Sequence, residues 1–137
     1  EQAQKKPLLG ICLGMQMLFE KSYEYGEHPG LGLIPGAVVP MAGVIPAELK
    51  IPHIGWNALL FQKDSPLFRY IQDGDCVYFV HSYYPDVESR YGVTETEYMI
   101  RFHSMISCNN VTAAQFHPEK SGPVGIRIMK NFIEYGA

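Results

Sequence analysis

The spacing of hydrophobic positions changes several times along the chain. Pro7-Leu8-Leu9-Gly10-Ile11-Cys12 is a short apolar run of strand length, and Leu13 to Tyr23 carries apolar Leu13, Met17 and Leu18 with polar Gln16, Glu20 and Lys21 between them. This pattern predicts a buried strand, a sharp turn and a helix. Gly26 to Gly36 reads as a glycine- and proline-rich loop, and Pro40, Pro46 and Pro52 break the stretches Ala37 to Met41 and Ile45 to Phe61 into short irregular or edge strands. Ser65-Pro66 has the form of an N-cap followed by proline at the first helical position, which predicts a short helix over Leu67 to Ile71.

Asp73-Gly74 marks a turn, after which the unbroken apolar run Cys76-Val77-Tyr78-Phe79-Val80 predicts a strand buried on both faces, ending in His81-Ser82-Tyr83-Tyr84. Tyr98 to Ser107 and Val111 to Phe116, separated by Cys108-Asn109-Asn110, read as a hairpin or adjacent strand pair. Val124 to Tyr135 places Ile126, Met129 and Ile133 at helical spacing, with Ile128 and Phe132 widening the stripe and Gly136 as a stop. No repeat, low-complexity tract or linker divides the chain, so one domain of mixed α/β type is expected.

The composition suits a compact domain: 47% of the 137 residues are hydrophobic and 18% charged. Lys+Arg 11 against Asp+Glu 14 gives a net charge of −3, which offers no electrostatic footprint for nucleic acid or an anionic membrane. A small molecule or a protein is the expected partner. No apolar run reaches the roughly 18 residues of a membrane span, and Glu1 to Lys6 lacks the apolar core of a signal peptide, so a cytoplasmic protein is expected. Cys12, Cys76 and Cys108 show neither an even number nor C-x-x-C spacing, arguing against a disulfide framework or a zinc knuckle. The chain runs almost at once into its first apolar stretch, without an initial methionine, which suggests that part of the domain lies upstream.

Cys12 lies between Gly10 and Gly14, where the strand should turn into the helix. Small flanking residues allow a tight elbow, the mechanical basis of a nucleophile displayed at a strand-to-helix turn. A sulfur at a helix N-terminus is expected to favour thiolate, and the N–H of Leu13 can face a developing oxyanion. Burial as a small apolar side chain is the plainer alternative for Cys12.

A cysteine nucleophile needs a base, and the context selects His117 from among His28, His53, His81, His103 and His117. Gln115-Phe116-His117-Pro118-Glu119-Lys120 places an imidazole and a carboxylate two residues apart at a strand end, on one face. Glu119 can then hold His117 while His117 takes the thiol proton. Satisfied strand residues or half a metal site are the alternatives for H-x-E, although the P-C-x-x-C that a zinc deaminase needs is absent. His103 fits a half-exposed strand position, His28 a polar loop, and His53 a structural hydrogen bond or an interface. His81 ends a strand, the usual place for ligand contacts in an open α/β sheet.

Gly10-Ile11-Cys12-Leu13-Gly14-Met15-Gln16 and Gln115-Phe116-His117-Pro118-Glu119, in this order and 105 residues apart from cysteine to histidine, resemble the elbow and the His/Glu segment of the triad-type glutamine amidotransferases. Other segments resemble the branch of that family that supplies glutaminase subunits to imidazole glycerol phosphate synthase. They are Met17 to Glu20, Tyr25 to Glu27, Gly30 to Gly36, Pro52-His53-Ile54-Gly55-Trp56-Asn57, Tyr78 to Tyr83 and His117-Pro118-Glu119-Lys120-Ser121-Gly122.

The resemblance implies an open mixed, mainly parallel sheet flanked by helices, with residues 1–137 as the larger, C-terminal part of a single amidotransferase domain whose first βα units are missing. It implies a Cys12-His117-Glu119 triad that hydrolyses glutamine to glutamate and ammonia. Gln16, Glu24, Ser82 and Tyr83 match substrate-holding positions, and Trp56, Asn57, Tyr78 and Lys120 lie where the family meets its partner. That partner is a cyclase barrel subunit, forming a heterodimer that acts in histidine biosynthesis. No metal or organic cofactor is implied. Trp56 and Tyr78 also fit as ordinary core aromatics. A paralogue serving another ammonia acceptor, or a non-catalytic partner-binding module, are the competing readings. The family also carries an upstream glycine-bearing strand with a second oxyanion donor, and one such donor is worth about 2.7–4 kcal/mol in a well-studied hydrolase.

Overall fold

The computed structural model describes residues 5–48 and 50–136. Its strands are β1 (Leu8–Ile11), β2 (Phe19–Ser22), β3 (His28–Pro29), β4 (Ile34–Pro40), β5 (His53–Ala58), β6 (Leu60–Phe61), β7 (Cys76–His81), β8 (Tyr83–Asp86), β9 (Gly92–Tyr98), β10 (Ile100–Cys108) and β11 (Val111–Ala114). Its α-helices are α1 (Leu13–Gln16) and α2 (Gly122–Tyr135). The strands form a five-stranded sheet in the order β1-β11-β10-β9-β6, a four-stranded sheet in the order β3-β2-β4-β8, and a ribbon of β5 with β7.

The mixed α/β class is as expected, but the pairing of the described strands is not mainly parallel. β1 with β11 and β2 with β4 run parallel, whereas the other pairs, β9 with β10 and β10 with β11 among them, are antiparallel. The reason lies in the connections: β9, β10 and β11 are joined by one- and two-residue turns at Met99 (φ 63°) and Asn109 (φ 54°), and so short a link can only reverse the chain. Asn109 takes the left-handed conformation there without glycine.

Adjacent residues of the central sheet enter different cores. Met105 and Ala114 join Leu59, Val77, Phe79, Phe102, Phe116 and Ile128, while their chain neighbours Ile106 and Ala113 join Met15, Leu18, Phe19, Ile34 and Val38. Side chains alternate across a strand, so this sheet is covered on both faces. The doubly buried strand is therefore β11, all four of whose residues are buried. β7 instead alternates, with Val77 and Phe79 inward and Cys76 exposed, because it belongs to a two-stranded ribbon with one face open.

Three local expectations shift. The helix expected over Leu13 to Tyr23 stops at Gln16, since Phe19 and Lys21 pair with Ile34 and Ala37 in a sheet that buries Phe19 completely. Ser65 caps as expected, its hydroxyl accepting the Leu67 N–H at 3.2 Å, but the turn it opens is a 3-10 turn over Pro66–Phe68. Helix α2 buries Gly125, Ile128 and Asn131 and half-buries Val124 and Phe132, leaving Ile126 and Ile133 exposed. Both candidate stripes have helical spacing. The buried one is chosen by close approach, since a Cβ on Gly125 would lie 1.9 Å from the Pro118 carbonyl oxygen, and by Asn131, whose amide donates to the Leu67 and Arg69 carbonyls at 2.8 Å each.

Candidate functional site

The parallel ladder of β1 with β11 ends where the Cys12 N–H donates to the Ala114 carbonyl at 2.8 Å. The backbone then turns sharply: Cys12 has φ 51° and ψ −105° as N-cap of α1. A non-glycine residue in such a conformation stores on the order of 1–3 kcal/mol and is typical of a functional elbow. Gly10 is what permits it, because a Cβ there would meet Leu18 Cδ1 at 2.6 Å and the Gly14 carbonyl oxygen at 2.9 Å. Gly14, expected to serve the same purpose, has no neighbour within 4 Å of where a Cβ would sit and is not required for close approach.

The Cys12 sulfur is half-buried, 3.8 Å from the Val80 carbonyl to which its S–H donates, and 4.0 Å from the side-chain nitrogen of fully buried Gln115. Burial pushes its pKa above the ordinary thiol value. The hydrogen bond from the Leu13 N–H lowers it, Glu119 and Glu24 raise it further, and Lys120 lowers it. The expectation of a thiolate-prone cysteine is thus corrected. Loss of solvation outweighs what a four-residue helix can offer, and the resting group is a thiol.

His117 follows β11 and is pinned by backbone. Its N–H donates to the Tyr78 carbonyl at 2.9 Å, and its own carbonyl accepts the Ser121 hydroxyl at 2.6 Å. Ser121 Oγ in turn accepts the Tyr78 N–H at 2.9 Å, so one buried hydroxyl ties the histidine segment to β7. Sequence reasoning assigned Ser121 no role. Its only signal was the seryl position after the His/Glu segment. His117 Nδ1 lies 2.5 Å from Glu119 Oε1, and Nε2 is buried with no partner among the described residues. Glu119 and Lys120 are near enough to act electrostatically on the Cys12 sulfur.

A cavity of about 350 Å³ is lined by Cys12, Leu13, Gln16, Glu24, Pro52, Val80, His81, Ser82 and Tyr83. It gathers all four expected substrate contacts beside the thiol, although they come from three separate parts of the chain. A groove of about 520 Å³ shares Leu13, Gln16 and Glu24 with it and is also lined by Met17, Tyr25, His28 and Leu31. His28, placed by the sequence in a polar loop, sits in β3 at that groove's edge.

Of the residues expected at a partner face, Trp56 and Tyr78 are in contact. Trp56 is 58% exposed and so is no core aromatic. Its ring meets the half-buried Tyr78 edge-on at 6.1 Å and lies beside Gly122, two residues after exposed Lys120. The half-buried Asn57 has its side-chain amide engaged within the fold, donating to the Glu97 carbonyl at 2.8 Å and toward His53 Nε2 at 3.4 Å. Among the described residues, no group of three or more His, Cys, Asp or Glu is placed to hold a metal ion, and no helix is long and apolar enough to cross a membrane.

The family described as glutamine amidotransferase class-I matches residues 1–135. Among curated proteins, the chain is 53% identical over 129 residues to the imidazole glycerol phosphate synthase subunit HisH of Aquifex aeolicus, covering 93% of this chain and 60% of that protein. It is 52% identical over 130 residues to HisH of Caldanaerobacter subterraneus, covering 94% and 62%, and 48% identical over 129 residues to HisH of Lactococcus lactis, covering 93% and 62%. The chain therefore spans about three fifths of the length of these relatives. A solved glutamine amidotransferase of Thermotoga maritima superposes with a TM-score of 0.58 at 21% identity, over 93% of this chain and 47% of that one, a likeness of fold.

Proposed function

Because this chain belongs to the class-I glutamine amidotransferase family, we propose that its residues 1–137 are the larger, C-terminal part of a single amidotransferase domain that hydrolyses glutamine for imidazole glycerol phosphate synthase. The observation that carries this reading is the cavity in which Cys12, Leu13, Gln16, Glu24, Ser82 and Tyr83 meet, together with a histidine whose Nδ1 is engaged by Glu119 and whose Nε2 has no partner among the described residues. The names and identities of the HisH relatives support the choice of synthase.

Free glutamine enters with its side-chain amide over the Cys12 sulfur, held by Gln16, Glu24 and the backbone of Ser82 and Tyr83. Since the resting group is a thiol, proton transfer accompanies attack: His117 Nε2 takes the S–H proton as sulfur bonds to the amide carbon. Glu119 stabilises the resulting imidazolium, and the Leu13 N–H faces the oxyanion. The carbon–nitrogen bond then breaks, nitrogen takes the proton from His117, and ammonia leaves a γ-glutamyl thioester. Water, deprotonated by His117, resolves the thioester to glutamate and restores the thiol.

The ammonia passes to a cyclase barrel subunit docked on the Trp56, Asn57, Tyr78 and Lys120 face, which forms imidazole glycerol phosphate and an aminoimidazole carboxamide ribotide. The setting is the cytoplasm, and the half-reaction needs no cofactor. The test is glutamate release by this chain with and without a cyclase subunit. Partner-stimulated turnover that Cys12→Ser abolishes is the expected result. Unchanged turnover in Cys12→Ser would remove the reading, and so would high turnover without the partner for its claim of partner dependence.

A further inference from the structure

The hydrogen bonds behind the cavity wall run in one direction. The Tyr83 carbonyl, 2.8 Å from His81 Nδ1, can only accept, so His81 carries its proton on Nδ1. His81 is buried, and burial lowers its pKa to about 4, so the ring is neutral near pH 7 and its Nε2 is an acceptor. His53 Nδ1, 2.9 Å from that Nε2, must therefore be the donor. His53 is likewise buried, with its pKa lowered to about 4 by desolvation, which leaves its own Nε2 as an acceptor for the Asn57 amide at 3.4 Å. The order of donation is Asn57 to His53 to His81 to the Tyr83 carbonyl.

The last bond of the series closes the corner at Ser82 between β7 and β8, and Val80, His81, Ser82 and Tyr83 all line the cavity that holds Cys12. His53 is held flat for this task, stacked between Phe79 at 5.0 Å and Tyr98 at 4.1 Å and in direct register with His81 across the ribbon. We propose that His53 is a positioning residue for the glutamine pocket. By donating from Nδ1 it fixes the tautomer and tilt of His81, which in turn holds the Ser82–Tyr83 corner against the substrate. This role rests on the glutaminase reading, but the tautomer order on which it depends can be measured without turnover.

Two substitutions separate the donor from the packing. His53→Asn keeps a donor at the position of Nδ1 and loses the ring, whereas His53→Phe keeps the stack and loses the donor. Steady-state glutamine hydrolysis with the cyclase subunit should show KM raised about tenfold in His53→Phe, the factor one ordinary hydrogen bond is worth, with kcat within about twofold. His53→Asn should keep a near-wild-type KM despite a lower melting temperature. A wild-type KM in His53→Phe, or equal KM increases in both, would overturn the proposal, as packing alone predicts the reverse order.

Long-range ring ¹⁵N–¹H spectra of the full chain supply the second measurement. Both histidines are expected as neutral Nδ1–H tautomers at pH 7, and His81 found as the Nε2–H tautomer or as imidazolium would overturn the proposal by itself. If the wild-type chain releases no glutamate with its partner, the functional reading fails. These spectra then still decide whether the ordered series of donors exists.

Discussion

His117 Nδ1 lies 2.5 Å from Glu119 Oε1, while the opposite ring nitrogen, Nε2, is buried and unpartnered among the described residues. The carboxylate comes two residues later, within the 3-10 turn Pro118–Lys120 that follows the histidine. The turn brings it to one end of the imidazole and leaves the other end open. A ring held in this way can only carry its proton on Nδ1 when neutral, which is the form a general base at Nε2 requires.

Removing either half of this pair should therefore act on turnover. Replacing His117 with Asn should lower kcat by about 10²–10⁴-fold, the usual contribution of a positioned acid–base group. Glu119→Gln should lower kcat by less than His117→Asn, since the ring keeps a hydrogen-bond partner but loses the charge that favours imidazolium. Steady-state glutaminase assays in the presence of the cyclase subunit read both, and a kcat for Glu119→Gln equal to wild type would deny the carboxylate any part in the reaction.

The raised pKa of Cys12 makes its chemistry depend on the reagent. Iodoacetamide at pH 7 should modify exposed Cys76 well before Cys12, and Cys12 labelling should rise with pH to a midpoint above the ordinary thiol value. A glutamine-mimicking electrophile should invert the order, because it presents its carbon to the sulfur inside the cavity and His117 takes the proton there. Peptide mass spectrometry after timed labelling gives the ranking, and preferential reaction of Cys12 with iodoacetamide at neutral pH would show a resting thiolate instead.

The two glycines of the elbow should separate cleanly. Gly10→Ala drives a methyl to 2.6 Å from Leu18 Cδ1 and 2.9 Å from the Gly14 carbonyl oxygen, an overpacking that costs about 1–3 kcal/mol. Gly14→Ala meets nothing within 4 Å and lies in α1, where alanine is favoured by up to about 1 kcal/mol. Urea unfolding of the two variants should thus move in opposite directions from wild type. Comparable destabilisation would mean that the elbow is packed otherwise.

The buried histidine pair gives stability a dependence on acid. Burial is the main cause at both rings, holding His53 and His81 at about 4, and at His81 the neighbouring His53 and His117 oppose its charge as well. A pKa depressed in the folded chain means that the unfolded chain binds protons more readily, so the contribution is present above about pH 6.5 and is lost as pH falls toward 4. Unfolding free energy measured in urea should decline by a few kcal/mol across that window. His53→Phe should shallow the slope, and an unchanged slope would place the titrating groups elsewhere.

Much of the site was legible in short stretches of sequence because the forces that shape those stretches are local. Gly10 before Cys12 marks an elbow by sterics alone, His117 and Glu119 are near each other in any conformation the intervening Pro118 allows, and Ser65-Pro66 caps its turn through its own hydroxyl. The length of α2 and its stop at Gly136 (φ 80°) follow from the same kind of signal. What sequence reasoning placed wrongly depends on the company each residue keeps. Phe19 lies in the stretch expected to be helical but pairs with Ile34 in a sheet, and Ile126 and Ile133 shared a stripe with helical period but face away from the core.

Only the tertiary structure decided the protonation of Cys12, because the balance between lost solvation and one N–H bond is a sum over every neighbour that excludes water from the sulfur. Only it paired His53 with His81, 28 residues apart, since the register of β5 on β7 is a property of two strands together. The residue types and order that permit the chemistry were written along the chain. Their charges, tautomers and distances came from long-range burial and strand pairing, which no single segment contains.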